Sequence, residues 1–336
     1  MKLETTKDVR ELMGADLASY ALNAALEAGL FWRLAEVPRS AQSLADELDT
    51  APMPCLHWLR LLAGLGLLEE GAGGFSVSPT GRSAILEAYS QESWALLAEE
   101  GRERREDLQA LDLYADQEHG PDMPEDETHG DYVQKMISDP DRARRFTRML
   151  YELHAGLGEE LAASLDIGGV RRLADLGGGS GVVSMAFLRR HPGLSAVVVD
   201  IPNVCAAGRE IAAGVPEGAR LAYHPADFVK DELPGGFDLA LECDVAIYSQ
   251  PLFRKVAGAL NENGRFVIVD WWIDAGQPRP ASHLAYLFYK SLRDPEFRLP
   301  GLGELSASLG AAGFGPVSTS GLSNGMLVIV ARKGRG

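Results

Sequence analysis

Asp175-Leu176-Gly177-Gly178-Gly179-Ser180-Gly181 joins a short apolar run, Leu173 to Leu176, to a segment with helical spacing, Val182 to Arg190. Glycines at the carboxyl end of a strand let the backbone approach a ligand, and the amides at the start of the following helix face it. Downstream, Ala196 to Asp200, Leu239 to Leu241 and Phe266 to Asp270 are β-branched or apolar runs separated by helix-length segments. That alternation predicts a parallel sheet with helices on both faces. Gly315-Pro-Val-Ser318 and Met326 to Ala331 have no helical segment between them, so this last pair is expected to run antiparallel. Asp200 closes the second strand 25 residues after Asp175, where a carboxylate accepts hydrogen bonds from both hydroxyls of a ribose.

The loop discriminates between nucleotide cofactors. A dinucleotide fingerprint needs Gly-x-Gly-x-x-Gly, but the sixth position is Val182 counted from Gly177 and Ser184 counted from Gly179. A pyrophosphate gains nothing from the Asp175 carboxylate at the loop entrance. A cationic cofactor with an amino-acid tail, held indirectly through that acid, fits better, and S-adenosylmethionine is such a group.

Upstream the texture is helical. Leu22, Leu26 and Leu30 recur every four residues between Leu17 and Leu34, predicting one helix with a wide buried stripe. A second helix carries Leu44 and Leu48. Thr50 and Pro52 signal the start of a third, with Leu56, Leu59 and Leu62. Leu67 to Glu70, the turn Gly71-Ala-Gly-Gly74 and Phe75 to Val77 read as a hairpin, after which Thr80 is expected to cap another helix. Three helices and a hairpin make a winged-helix order. Its recognition helix, Pro52 to Leu65, carries only Arg60 as a permanent cation, too little for phosphate neutralisation. Pairing of subunits or covering of a substrate is the expected role. Gln109 to Asp131 is acidic and broken by Pro121 and Pro124, which predicts a solvated connection or a flap over the site.

The 336 residues carry a net charge of −16, and such a surface repels nucleic acid and anionic membranes. Three cysteines, Cys55, Cys205 and Cys243, form no Cys-x-x-Cys motif, so neither a disulfide scaffold nor a common structural zinc site is expected. With no apolar run long enough for a signal peptide core or a membrane span, the reading is a cytoplasmic protein.

In order, Asp175 to Gly181, Asp200-Ile-Pro202, Ala226-Asp-Phe228, Phe237-Asp238 and Gly264 to Asp270 resemble the S-adenosylmethionine-dependent O-methyltransferases of plant phenolic and bacterial natural-product metabolism. The resemblance spans almost the whole chain. It implies a class I methyltransferase Rossmann-like α/β sheet, mostly parallel with an antiparallel last strand, plus an N-terminal, mainly helical winged-helix dimerisation domain. The expected divisions are 1–100 for dimerisation, 101–155 for a helical and acidic connector, and 156–336 for cofactor binding, in a homodimer acting on a small molecule. It implies Gly177 and Gly179 against the methionine part, Asp200 on the ribose, Ile201 against the adenine, and Asp227 with Phe228 at the adenine edge and face. Cys243 stands where many relatives carry a lysine near the cofactor, and Asp175 completes the cofactor set.

Methyl transfer needs an acceptor atom about 3–3.5 Å from the methyl carbon, so positioning carries much of the rate. A phenol or enol acceptor also gains from a base. In the family that base is a histidine at the end of the fourth strand. Nine residues beyond Asp238 stands Ile247, within Asp244-Val-Ala-Ile-Tyr248-Ser-Gln250, and this segment has no histidine. A similar Cys…Tyr-Ser stretch occurs in the bacteriochlorophyll-type C-methyltransferase branch, so carbon is an acceptor option beside oxygen. Tyr248, His283 and His154 are the catalytic candidates. Glu242 and Asp244 are carboxylate-base options, but strand ends commonly expose acids to water, and solvated acids are the expected reading. No metal is expected, because the histidines lack ligand spacing. A non-methylating reaction on the same fold and a winged-helix regulator are the alternative readings. Gly321-Leu-Ser323-Asn-Gly325 matches a nucleophile elbow, but a strand follows it and Asn324-Gly325 favours a hairpin turn.

Overall fold

The computed structural model describes residues 3–110, 127–272, 281–293 and 298–334. The acidic stretch expected to be a connection or flap lies, over 111–126, outside the described residues. The chain forms two compact units, Met1–Asp112 and Leu113–Gly336.

The first unit runs α1 (Thr6–Met13), α2 (Ala15–Glu27), α3 (Leu30–Arg33), α4 (Ala41–Glu47), α5 (Pro52–Gly64), β1 (Leu68–Gly71), β2 (Gly74–Val77), α6 (Pro79–Gly81) and α7 (Gln91–Ala110). The helix expected from Leu17 to Leu34 is two, because Gly29 adopts φ +63° and breaks the ladder between α2 and α3. Two caps also shift by a residue or two. Ser78, not Thr80, accepts the Gly81 amide, and α5 starts on Pro52 behind Ala51 without a side-chain cap. Leu26, Leu30, Phe31, Leu44, Leu59, Leu62 and Phe75 close one core. Arg60 on α5 is held by Glu70, at 2.9 Å.

In the second unit α8 (Glu127–Ser138), α9 (Pro140–Leu153) and α10 (Ala155–Ser164) precede the sheet, and α9 packs on the helix after the second strand. There follow β3 (Arg172–Leu176), α11 (Val182–Arg190), β4 (Ser195–Asp200), α12 (Pro202–Ala212), β5 (Leu221–Pro225), β6 (Phe237–Cys243), α13 (Gln250–Ala259), β7 (Leu260–Asp270), α14 (Ala281–Arg293), α15 (Leu302–Ala311), β8 (Ser318–Gly321) and β9 (Leu327–Arg332). The sheet order is β5-β4-β3-β6-β7-β9-β8. The first five strands are parallel, β9 runs antiparallel to β7, and β8 antiparallel to β9.

Each central strand divides its side chains between two cores, as period-two alternation requires. Leu173, Val198, Leu239 and Val267 pack with Met185 and Phe187 of α11 on one face, and Ala174, Val199, Ala240 and Phe266 pack with Phe253 and Leu309 on the other. The strand Leu221–Pro225 was not singled out in the sequence, since its outward residues are only half-buried. The expected strand at Gly315 begins instead at Ser318. The Gly-x-Ser-x-Gly match is the turn between β8 and β9, and Ser323 there donates from N and Oγ to Glu160.

Candidate functional site

The crossover point of a doubly wound sheet lies here between β3 and β6, from which the strand order runs outward in opposite directions, and it leaves a crevice at the strands' carboxyl ends. The loop after β3 occupies it. Gly177, Gly179 and Gly181 all have φ between +56° and +77°, a conformation that strains any residue with a Cβ. The loop is tied from below: the Gly177 amide donates to the Val199 carbonyl, the Tyr223 hydroxyl donates to the Ser180 carbonyl, and Ser184 Oγ donates to Asp175 at 2.7 Å. Asp175 is fully buried, and burial pushes its carboxyl up to about 7.

Asp200 ends β4 with both oxygens engaged: Gly179 N donates to Oδ2 at 2.9 Å and Ile201 N to Oδ1 at 2.8 Å. Burial raises its carboxyl to about 6 against those two bonds. A carboxylate offers about four acceptor sites, so two remain for hydroxyls. Asp227 anchors the turn after β5, accepting from Val229 N, while Lys255 Nζ fixes that loop through the carbonyls of Val229 and Asp231.

At the end of β6 the backbone is strained. Asp244 and Ala246 have φ of +57° and +60°, costing about 1–3 kcal/mol each. The turn is over-determined by Asp244 N to the Val269 carbonyl, Ala246 N to Asp270 Oδ2 and Ile247 N to Glu242 Oε1. It presents Asp244 to His154, whose Nε2 lies 3.2 Å from Asp244 Oδ2. Tyr248 donates its hydroxyl to Asp270 at 2.5 Å and packs against Trp272. Burial and the neighbouring carboxylate push the Tyr248 phenol far above its ordinary range, and Asp270 rises to about 6. Asp244 is exposed as expected, but Glu242 is not: only 1% of it is accessible. Burial raises it to about 8, and its Oε2 has no hydrogen-bond partner among the described residues. The strand's pleat turns Glu242 inward, whereas Asp244 lies beyond its end.

A cavity of about 590 Å³ collects these groups. Gly177, Asp200, Ile201, Asp227 and Phe228 line it together with His154, Asp244, Asp270 and His283. Asp175, Gly179, Cys243 and Tyr248 are not among its lining residues. Burial and surrounding carboxylates push the Cys243 thiol well up, which removes it as a thiolate. Asp270 and Lys290 line the cavity without having been proposed from sequence. Asp270 had a signal, since it ends an apolar strand as Asp200 does.

The O-methyltransferase domain family matches residues 110–314. The chain belongs to that family. Among relatives of this S-adenosylmethionine-dependent methyltransferase, 3-hydroxy-5-methyl-1-naphthoate 3-O-methyltransferase of Streptomyces sahachiroi is 32% identical, over 66% of this chain and 62% of that protein. The tetracenomycin polyketide synthesis 8-O-methyl transferase of Streptomyces glaucescens is 25% identical over 98% of this chain and 97% of its own. In fold, the methyltransferase resembles human N-acetylserotonin methyltransferase, solved in complex with S-adenosylmethionine, with a TM-score of 0.79 at 19% identity over the whole of both chains. The site suits that cofactor: bare glycine backbone at Gly177, an acid with spare acceptor sites at Asp200, and apolar walls at Ile201 and Phe228. Among the described residues no helix is long and apolar enough to cross a membrane.

Proposed function

We propose that the methyltransferase methylates an oxygen or carbon of a small aromatic or enolisable secondary metabolite, with His154 as the base that replaces the family's strand-end histidine. The observation that carries this reading is the 3.2 Å contact of His154 with Asp244 on the wall of the cavity that also contains Gly177 and Asp200. The names of the relatives, a hydroxynaphthoate O-methyltransferase and a polyketide O-methyltransferase, support an aromatic acceptor.

In this reading Gly177 and Gly179 receive the methionine part, Asp200 the ribose hydroxyls, Ile201 the adenine, and Asp227 and Phe228 its edge and face. Asp175, bonded to Ser184, holds the loop from beneath. S-adenosylmethionine held by these residues would supply an electrophilic methyl carbon to an acceptor lone pair or carbanion, with the C–S electron pair left on sulfur. His154 accepts the acceptor's proton on an imidazole nitrogen, and Asp244 orients the ring and stabilises the imidazolium. Tyr248 is a positioning residue, because its hydroxyl is spent on Asp270. His283, stacked on Trp271, forms the acceptor floor.

Calorimetry with S-adenosylhomocysteine and mass spectrometry of products from a panel of phenols and enolisable acids test this. Cofactor binding with a product heavier by one CH2 supports it. Binding without any mass gain favours a non-methylating reaction on the same fold, and no binding ends both readings.

We also propose a homodimer formed through the first unit. Leu12, Met13, Leu17 and Tyr20 are exposed on α1 and α2, and α1 buries none of its own residues. Light scattering should report twice the 36.2 kDa chain mass, and Leu17→Glu should reduce it. The three free thiols fit a reducing cytoplasm.

A further inference from the structure

Helix α8 ends at Ser138 and α9 starts on Pro140. The junction is short of donors. A helical carbonyl is ordinarily met by the amide four residues on, and for Met136 that residue is Pro140, which has no N–H. For Ile137 it is Asp141, which already belongs to α9. Carbonyls at a helix end therefore need a partner from elsewhere. One side chain serves both: Asn203 Nδ2 donates to the Met136 carbonyl at 2.8 Å and to the Ile137 carbonyl at 3.1 Å.

Asn203 stands in the first turn of α12, two residues after Ile201 and three after Asp200. Those two residues line the cavity, and from α8 so do Tyr132 and Val133. Val133 and Met136 share one buried cluster with Ile201 and Val204. The stretch that begins at Asp200 and the helix facing it are thus joined by apolar packing and by one amide group. Apolar packing has no direction. Two bonds from one planar amide do, and they fix the end of α8 against α12.

We propose that Asn203 is a positioning residue for the cofactor: it holds α8 closed on the nucleoside, with Tyr132 and Val133 as the wall, and so slows the departure of S-adenosylhomocysteine after transfer. Asn203 is not among the cavity's lining residues, so it acts through α8. Without its two bonds, cofactor binding itself has to order α8, and the affinity falls accordingly. This rests on reading the cavity as the cofactor site, and it adds the element that retains the cofactor there.

The test uses the full chain. S-adenosylhomocysteine is titrated by calorimetry, its dissociation is timed by chase of tritiated ligand, and amide hydrogen exchange is followed over residues 132–138. Asn203→Asp keeps the shape but sets a carboxylate against two carbonyl oxygens, while an acid in the first turn favours α12 itself. A role confined to the stability of α12 therefore predicts no loss. The clasp predicts binding about 10-fold weaker, chiefly through faster dissociation, with quicker exchange over 132–138. Asn203→Gln, which keeps the donors, should bind more tightly than Asn203→Asp. Unchanged affinity, unchanged exchange over 132–138, or equal losses in the two variants each overturn the proposal. Wild-type affinity, measured first, separates the two levels: its absence defeats the methyltransferase reading and this one with it, and wild-type binding that Asn203→Asp leaves intact defeats the clasp alone.

Discussion

His154 Nε2 and Asp244 Oδ2 stand 3.2 Å apart, although one residue caps α9 and the other follows β6. The carboxylate sits on a left-handed backbone, so the chain accepts strain at the position that aims it. Strain of this kind persists only where surrounding bonds over-determine it, as the amides of Asp244, Ala246 and Ile247 do here. His154→Gln should therefore lower kcat by about 10²–10⁴-fold, the range for a general base, with S-adenosylhomocysteine affinity within twofold of the wild type. Asp244→Asn should lower kcat less, because the imidazole keeps both nitrogens but loses the carboxylate that orients it. Steady-state kinetics across pH beside calorimetry check both, and an unchanged kcat in His154→Gln removes the base assignment.

Asp200 couples cofactor binding to loop shape, since Gly179 N and Ile201 N both donate to it. Asp200→Asn keeps the size but offers one acceptor oxygen, leaving one amide or the ligand hydroxyls without a partner. Hydrogen bonds to charged groups contribute about 1.5–3 kcal/mol, so S-adenosylhomocysteine should bind roughly 10- to 150-fold more weakly. Titration calorimetry reads this directly. An affinity unaltered in the variant would remove Asp200 from the cofactor site.

The ends of the strands were legible from residue order because one of two patterns marks each: glycines follow where the chain must turn steeply, as after Asp175 and Leu176, or an apolar run stops at an acid. Asp200 announces itself in the second way. Asp270 does too, but its pairing with Tyr248 depends on a turn whose left-handed residues, Asp244 and Ala246, are not glycines and carry no local signal. His154 and Lys290 were harder still. Each lies on a helix whose rotation about its own axis decides whether a side chain faces the cavity, and that rotation is set by packing against residues far away in sequence. Glu242 read as a solvated acid because strand ends usually expose their acids, and the pleat turns it inward instead.

Gly208 of α12 tests how the cofactor loop is supported from beneath. A Cβ there would meet the Tyr223 ring at 2.4 Å and the Gly179 carbonyl oxygen at 2.8 Å, and Tyr223 is the residue whose hydroxyl holds Ser180. Gly208→Ala should destabilise the second unit by about 1–3 kcal/mol, as overpacking does, and weaken S-adenosylhomocysteine binding by displacing the loop. Gly258→Ala on α13, where the added Cβ meets nothing within 4 Å, is the matched control. Urea melts of both variants should differ in midpoint, and coincident curves would show that the loop does not lean on α12.

Four buried acids make the stability of the ligand-free protein depend on pH with a sign opposite to that of salt-bridged carboxylates. Asp175, Asp200, Asp270 and Glu242 rise to about 7, 6, 6 and 8, in each case chiefly through burial. Between the ordinary carboxylate range near 4 and these raised values, the folded state holds more protons than the unfolded chain, so stability must fall as pH rises. Their stabilising contribution is complete below about pH 4 and is lost as pH passes through about 6 to 8. Other groups set the acid limit, so the decline should be visible from about pH 5.5 to 8.5. Glu242→Gln copies the protonated acid in shape and has no charge to bury. Its advantage over the wild type should be small at pH 5.5 and larger at pH 8.5 by on the order of a few kcal/mol, as thermal or urea unfolding at the two pH values would show. An equal effect at both would mean that Glu242 is already ionised in the folded protein at pH 5.5, its orphaned oxygen being solvated.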